Sequence, residues 1–283
     1  MIPHIPGLER TIEAALAEDL ALGDPTTTSL IPPHLTGRAK FVSRQPGVLA
    51  GIQVAIDVYR QVDPELKMKA MLLDGDVVAP GAVLGSVEGR VASILTGERT
   101  ALNFLQRMSG VATLTARYVK EIEGTSATIV DTRKTAPGLR ALDKYAVAAG
   151  GGKNHRMCLG DGILIKDNHI AALRAEGISL AQVVKRARTR APHTVKIEVE
   201  VETIVEAQEA IKGGADIILA DNMPAGELAQ VVALAKGKVL IEASGGITLE
   251  NVAEIARTGV NLISVGALTH SVKALDIGLD YDA

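Results

Sequence analysis

Residues 195–269 read VKIEVEVETIVEAQEAIKGGADIILADNMPAGELAQVVALAKGKVLIEASGGITLENVAEIARTGVNLISVGALT. Four β-branched runs stand out in this stretch: VKIEV (195–199), DIILA (216–220), VLIEA (239–243) and NLISV (261–265). They recur about every 22 residues, the length of one strand, one helix and two loops, so they read as parallel βα units. Two earlier runs, TIV (128–130) and ILI (163–165), have the same texture. Each run is nearly all apolar, as strands are when helices cover both faces of their sheet. The residues closing the six runs are Asp131, Lys166, Glu200, Asp221, Ser244 and Gly266. Charged, hydroxylated and glycine positions at successive strand ends point to an α/β barrel with its site at the carboxyl face. Closure needs at least one more strand, for which Ala146 to Gly152 is the candidate; a doubly wound open sheet is the alternative.

Ahead of this series the chain has a different rhythm. Leu8, Ile12, Ala15, Leu16 and Leu20 repeat at helical spacing up to the Gly23-Asp24-Pro25 turn, and Thr26-Thr27-Thr28 reads as a loop. Two short strands are expected around Gln45-Pro46-Gly47, a helix from Ile52 to Val62, and a small antiparallel sheet between Leu66 and Glu88. The longest helical pattern runs from Arg90 to Met108, with Arg99 and Asn103 one turn apart and Ser109-Gly110 ending it. The chain therefore divides into an α+β domain, 1–110, and a barrel domain, 111–270.

Composition removes several function classes. Aromatic residues are 2% of the 283 and there is no Trp, so stacking on nucleobases is a poor basis for binding. A net charge of −3 and a pI near 6.1 argue against a nucleic-acid partner. No apolar run is long enough to span a membrane. Cys158 is the lone cysteine, and the N-terminus lacks a basic segment followed by an apolar one; a reducing, cytoplasmic setting is expected.

Cations nevertheless gather between Asp131 and His169: Arg133, Lys134, Arg140, Lys144, Lys153, Arg156 and Lys166, against four Asp. Strand ends or a Gly-rich turn deliver Asp131-Thr132-Arg133-Lys134, Lys153-Asn154-His155-Arg156 and Lys166-Asp167-Asn168-His169, a way of building a polyanion site. Ser244-Gly245-Gly246 and Ser264-Val265-Gly266 occupy equivalent strand-to-helix turns, where glycine lets backbone N–H groups approach a phosphate. Glu198, Glu200 and Glu202 alternate, so their carboxylates share one side of an extended segment. If that side faces inward, Glu198 lies deep and needs a cationic partner. Glu200 and Asp221 at the rim suit a loosely held Mg²⁺ shared with substrate phosphates. His155 and His169 lack the paired spacing of a zinc site. Cys158 reads as packing, and Lys185, Arg186, Arg188 and Arg190 as a solvated helix face.

Taken in order, Gly97-Glu98-Arg99-Thr100-Ala101-Leu102-Asn103, Asp131-Thr132-Arg133-Lys134-Thr135, Gly151-Gly152-Lys153-Asn154-His155-Arg156, Lys166-Asp167-Asn168-His169, Glu198-Val199-Glu200-Val201 and Ala243-Ser244-Gly245-Gly246-Ile247 resemble the quinolinate phosphoribosyltransferase family over essentially the whole chain. The resemblance implies an N-terminal open-sandwich domain, rejoined by residues 271–283, and an incomplete TIM-like α/β barrel. It implies conversion of quinolinate and phosphoribosyl pyrophosphate to nicotinate mononucleotide, pyrophosphate and CO₂ with Mg²⁺, on the way to NAD, in a homodimer or larger homo-oligomer. By the same resemblance Arg133, Arg156 and His155 hold quinolinate, joined by Arg99 from the neighbouring subunit, with Thr132 beside them. Lys134 and Lys166 face phosphates and carboxylates, Glu200 and Asp221 the ribose and Mg²⁺, and Ser244, Gly245, Gly246, Ser264, Val265 and Gly266 the 5′-phosphate. A molybdenum-transport-associated homologue or a non-catalytic sensor of a phosphorylated metabolite is the alternative.

Overall fold

The computed structural model describes residues 5–282. In chain order the elements are α1 (Leu8–Asp19), α2 (Pro25–Leu30), β1 (Thr36–Ser43), β2 (Gly47–Val48), α3 (Ile52–Val62), β3 (Lys67–Ala70), β4 (Val77–Val78), β5 (Val83–Arg90) and α4 (Val91–Glu121). There follow β6 (Thr128–Val130), α5 (Arg140–Ala149), β7 (Ile163–Ile165), α6 (Asp167–Arg174), α7 (Leu180–Arg190), β8 (Ile197–Val201), α8 (Ile204–Gly213) and β9 (Ile217–Asp221). The chain ends with α9 (Ala225–Ala235), β10 (Leu240–Ser244), α10 (Val252–Arg257), β11 (Leu262–Ser264), α11 (Ala267–His270) and β12 (Ile277–Asp282).

Two compact units emerge, one made of the residues up to Ala116 with Lys134–Gly151 and the segment from Ala267, the other of Arg117–Arg133 and Gly152–Gly266. The first holds an antiparallel sheet in the order β12-β1-β5-β3. Its edge strand β12 pairs with β1 from Arg38↔Asp282 to Ser43↔Ile277. Helix α3 buries Val54, Ala55, Val58 and Tyr59, the Tyr59 ring meeting Phe41 edge-on at 6.1 Å.

Two expectations are corrected here. Thr26-Thr27-Thr28 is not a loop but the body of α2: Asp24 caps it by accepting from the Thr27 N–H at 2.9 Å, and Pro25 supplies the first turn. Ser109-Gly110 does not end a helix; α4 runs through it for 31 residues. The Ser109 hydroxyl bridges the Ala50 N–H (3.0 Å) and C=O (3.1 Å). A Cβ on Gly110 would stand 2.3 Å from the Lys273 carbonyl oxygen and 3.0 Å from Ala274 Cα, so this glycine serves close packing. The sign of Gly110→Ala follows: helix propensity favours it by about 1 kcal/mol, but overpacking against backbone costs about 1–3 kcal/mol. We expect a net loss of up to about 2 kcal/mol, read from the midpoint of denaturant unfolding.

The second unit holds six parallel strands in the order β6-β11-β10-β9-β8-β7. A seventh position exists as a single parallel bridge from Lys153 to Val130, on the free edge of β6. It lies just past the expected tract: Ala146 to Ala149 finish α5, where Leu142, Ala146 and Val147 are buried on one helical side. Among the described residues no ladder joins Lys153 to β7, so the barrel is incomplete. Helices α7, α8 and α9 pack beside one another along its outside.

Candidate active site

Residues of the second unit build the site on the inward face and carboxyl ends of the strands. Glu198 and Ile217, paired across β8 and β9, both line a cavity of about 300 Å³. Glu200 pairs with Leu219 one repeat on, and Asp221 follows on the same face of β9. Exposure rises along the three glutamates as their alternation implies: Glu198 is 4% exposed, Glu200 half-buried and Glu202 exposed. The group that meets Glu198 is His155 and not the cation expected: its Nε2 lies 3.0 Å from Glu198 Oε2. Glu200 Oε2 is held by Lys166 Nζ at 2.5 Å. Asp221 Oδ2 accepts from the Asn222 side-chain amide at 2.7 Å.

Past β6 the chain runs through buried Asp131 and half-buried Thr132 to Arg133. Asp131 accepts the His155 N–H at 2.8 Å and thereby ties the Asn154-His155-Arg156 segment to the strand end. Arg156 donates to the Gly162 carbonyl at 3.0 Å, and its pKa is held down by burial first and by the nearby Arg133 guanidinium second. The Arg133 Nε is buried without a hydrogen-bond partner. Two guanidiniums that repel each other, one with an unanswered donor, are prepared for a dianion.

At the two glycine-containing turns the backbone groups differ in availability. Gly245 and Gly246 take left-handed φ values of +83° and +59°, and their N–H groups make no hydrogen bond among the described residues. The Ser264 side chain is buried with its hydroxyl 3.4 Å from the Ala243 carbonyl, and the Val265 N–H is committed to Val130 O at 3.0 Å. The Gly245-Gly246 turn is thus the more available half of the pair, with Gly266 at the head of the second turn.

The other residues singled out in the sequence have these surroundings. Arg99 and Asn103 are exposed on α4, and Lys134, also exposed, belongs to the first unit, its carbonyl accepting from Thr269 Oγ1 at 2.8 Å. His169 Nδ1 accepts the Lys166 N–H at 3.0 Å and closes the first turn of α6, a capping role. Cys158 is exposed rather than packed, because it sits in the turn where Asp161 accepts the Met157 N–H. Lys185, Arg186, Arg188 and Arg190 do form a solvated face of α7. Glu242, 1% exposed and 3.7 Å from His155, was not anticipated; its signal is the single carboxylate at an inward position of VLIEA.

These strands, with paired guanidiniums, an inward lysine–glutamate pair and a double-glycine turn at their carboxyl ends, define an α/β-barrel protein with an anion site. Residues 24–109 match the model of the quinolinate phosphoribosyl transferase N-terminal domain and residues 111–280 that of its C-terminal domain. The chain belongs to the quinolinate phosphoribosyltransferase family. It is 43% identical to a probable nicotinate-nucleotide pyrophosphorylase (carboxylating) of Bacillus subtilis, over 96% of this chain and 93% of that one. Identity to the Mycobacterium leprae nicotinate-nucleotide pyrophosphorylase (carboxylating) is 44%, over 95% of each. The solved nicotinate-nucleotide pyrophosphorylase of Francisella tularensis superposes with a TM-score of 0.92 at 38% identity, over 100% of this chain and 99% of that one.

Proposed function

We propose that the chain transfers the phosphoribosyl group of phosphoribosyl pyrophosphate to quinolinate and releases CO₂, yielding nicotinate mononucleotide for NAD synthesis. The observation that supports this reading is that one unit holds both a pair of guanidiniums, Arg133 close enough to Arg156 to lower its pKa, and the left-handed Gly245-Gly246 turn after β10. A pyridine dicarboxylate and a sugar phosphate need these two kinds of anion holder side by side. A sensor of a phosphorylated metabolite would use the turn but leaves the two guanidiniums and the Lys166–Glu200 pair unexplained.

Arg133 and Arg156 take the carboxylates of quinolinate and aim its ring nitrogen at the ribose carbon. As pyrophosphate departs, positive charge develops on the ribose, and Glu200 and Asp221 beneath it favour that charge while binding its hydroxyls. Lys166, lent by Glu200, meets phosphate or carboxylate oxygens. Bond formation makes the pyridine nitrogen cationic, and that nitrogen stabilises the carbanion left at C2 when CO₂ leaves, which then takes a proton from water. Transfer therefore precedes decarboxylation, and no separate base is required. The adjacent inward carboxylates Glu200 and Asp221 fit a Mg²⁺ that keeps most of its water. When bound, the ion offsets charge on the pyrophosphate. The resemblance adds Lys134 and, from a neighbouring subunit of a homo-oligomer, Arg99. Among the described residues no helix is long and apolar enough to cross a membrane, which is compatible with a cytoplasmic enzyme.

Incubation of the purified protein with quinolinate, phosphoribosyl pyrophosphate and Mg²⁺ should yield nicotinate mononucleotide and CO₂ in equal amounts. Absence of the nucleotide under conditions where both substrates bind would overturn the assignment.

A further inference from the structure

His155, Glu198 and Glu242 form a cluster inside the barrel whose ligand-type atoms all lie within 4.8 Å of one another. Such a trio suits a divalent metal, but its hydrogen bonds speak against one. The Arg156 backbone N–H donates to His155 Nδ1 at 2.7 Å, so Nδ1 is the acceptor and Nε2 carries the proton of a neutral ring. That proton points at Glu198, and a protonated Nε2 has no lone pair for a metal. The remaining question is Glu242, both of whose oxygens are buried without a partner, as is Glu198 Oε1. Two acceptor-only carboxylates cannot satisfy each other, whereas a single proton on one of them makes it a donor.

We infer that Glu242 is a neutral carboxylic acid that donates to Glu198, and that the pair, through His155, is a positioning device for Arg156. Resting on the reading of Arg156 as a quinolinate ligand, the inference makes quinolinate binding depend on a proton held inside the barrel, on a carboxylate 3.7 Å from His155. Groups facing Glu242 come from every packed element: Glu198 on β8, His155 on the 153–162 segment and Ser264 on β11. Lys153, Asn154, Arg156, Asp161 and Lys196 complete the polar lining of the cavity. Burial first, then the charge of Glu198, raises the Glu242 pKa from 4.5 to about 8. Ionising it sets two like charges face to face in the cavity, drives Glu198 off the imidazole and loosens the segment that carries Arg156.

The sign of the stability effect follows. Between pH 4.5 and about 8 the folded protein keeps a proton that the unfolded chain has released. Stability from this group is complete below 4.5 and is lost as pH rises to about 8.

Calorimetric titration of the full-length protein with quinolinate from pH 6.5 to 9.5 tests the inference. The wild type should lose about tenfold or more in affinity, with a midpoint near 8, and E242Q, which is neutral throughout, should show no such step. Infrared difference spectra of the wild type should show a protonated carboxyl at pH 7 that disappears by pH 9.5, so the idea stays testable even if E242Q does not fold. A flat wild-type profile, a missing carboxylic-acid band, or one equivalent of divalent metal held by wild type and lost in E242Q overturns it. Failure to make nicotinate mononucleotide at any pH would instead sink the assigned reaction.

Discussion

Replacing Arg133 or Arg156 with alanine should weaken quinolinate binding by about 2–4 kcal/mol, roughly 30- to 1,000-fold in Kd, without lowering the melting temperature of the ligand-free protein. Each guanidinium offers charge-assisted bonds to a carboxylate, which sets the size of the loss. The unchanged stability is the more discriminating half. Arg133 holds a buried Nε with no acceptor and stands close enough to Arg156 to lower its pKa. Removing either cation relieves their mutual repulsion, as expected where a binding site is kept at the expense of stability. Arg156 also gives up its bond to the Gly162 carbonyl, so Arg133→Ala is the cleaner variant. Affinity for phosphoribosyl pyrophosphate should stay within about threefold of wild type for both. Equal loss of the two ligands in calorimetry, or a variant that melts early without ligand, would refute this division of labour.

What could be read from the amino acids, and what could not, separates along physical lines. Strand periodicity is local, and the six parallel strands lie where their apolar runs put them. The alternation of Glu198, Glu200 and Glu202 is equally local; it placed one carboxylate deep, although the partner there is the His155 imidazole and not the cation expected. Close approach is not local. Ser109-Gly110 looks like a helix stop because nothing nearby in sequence shows that Lys273 and Ala274 will lie against it. A strand of one residue leaves no periodicity, so Lys153 could not be told from the helix before it. Glu242 was overlooked for a related reason: an isolated acid in an apolar strand has no pattern, and its meaning depends on Glu198 from another strand. Ser264 shows the limit of motif equivalence. It stands where Ser244 stands one unit earlier, yet its hydroxyl turns to the Ala243 carbonyl.

The double-glycine turn yields the second large effect. Gly245→Ala should cut affinity for phosphoribosyl pyrophosphate by about 2–3 kcal/mol, roughly 30- to 150-fold, while quinolinate binds nearly as before. Two costs combine at this position. Its φ of +83° is strained for any side chain, and a Cβ would stand 2.2 Å from Asn222 Oδ1 and 2.8 Å from the Asn222 backbone nitrogen. Asn222 cannot simply retreat. Its own φ is +53°, its N–H is bonded to the Ser244 carbonyl at 2.9 Å, and its side chain donates to Asp221. A shift there disturbs the double-glycine turn and the Asp221 carboxylate together. Gly246→Ala separates the two costs, because its φ is also left-handed, at +59°, but its Cβ would meet only Asn222 Oδ1 at 4.0 Å. That variant should lose only about 1 kcal/mol, the ordinary penalty of a left-handed residue. If calorimetry with phosphoribosyl pyrophosphate finds the two substitutions equally damaging, backbone strain alone governs the turn and the contact with Asn222 is irrelevant. If Gly245→Ala binds normally, the 5′-phosphate is held elsewhere on the barrel.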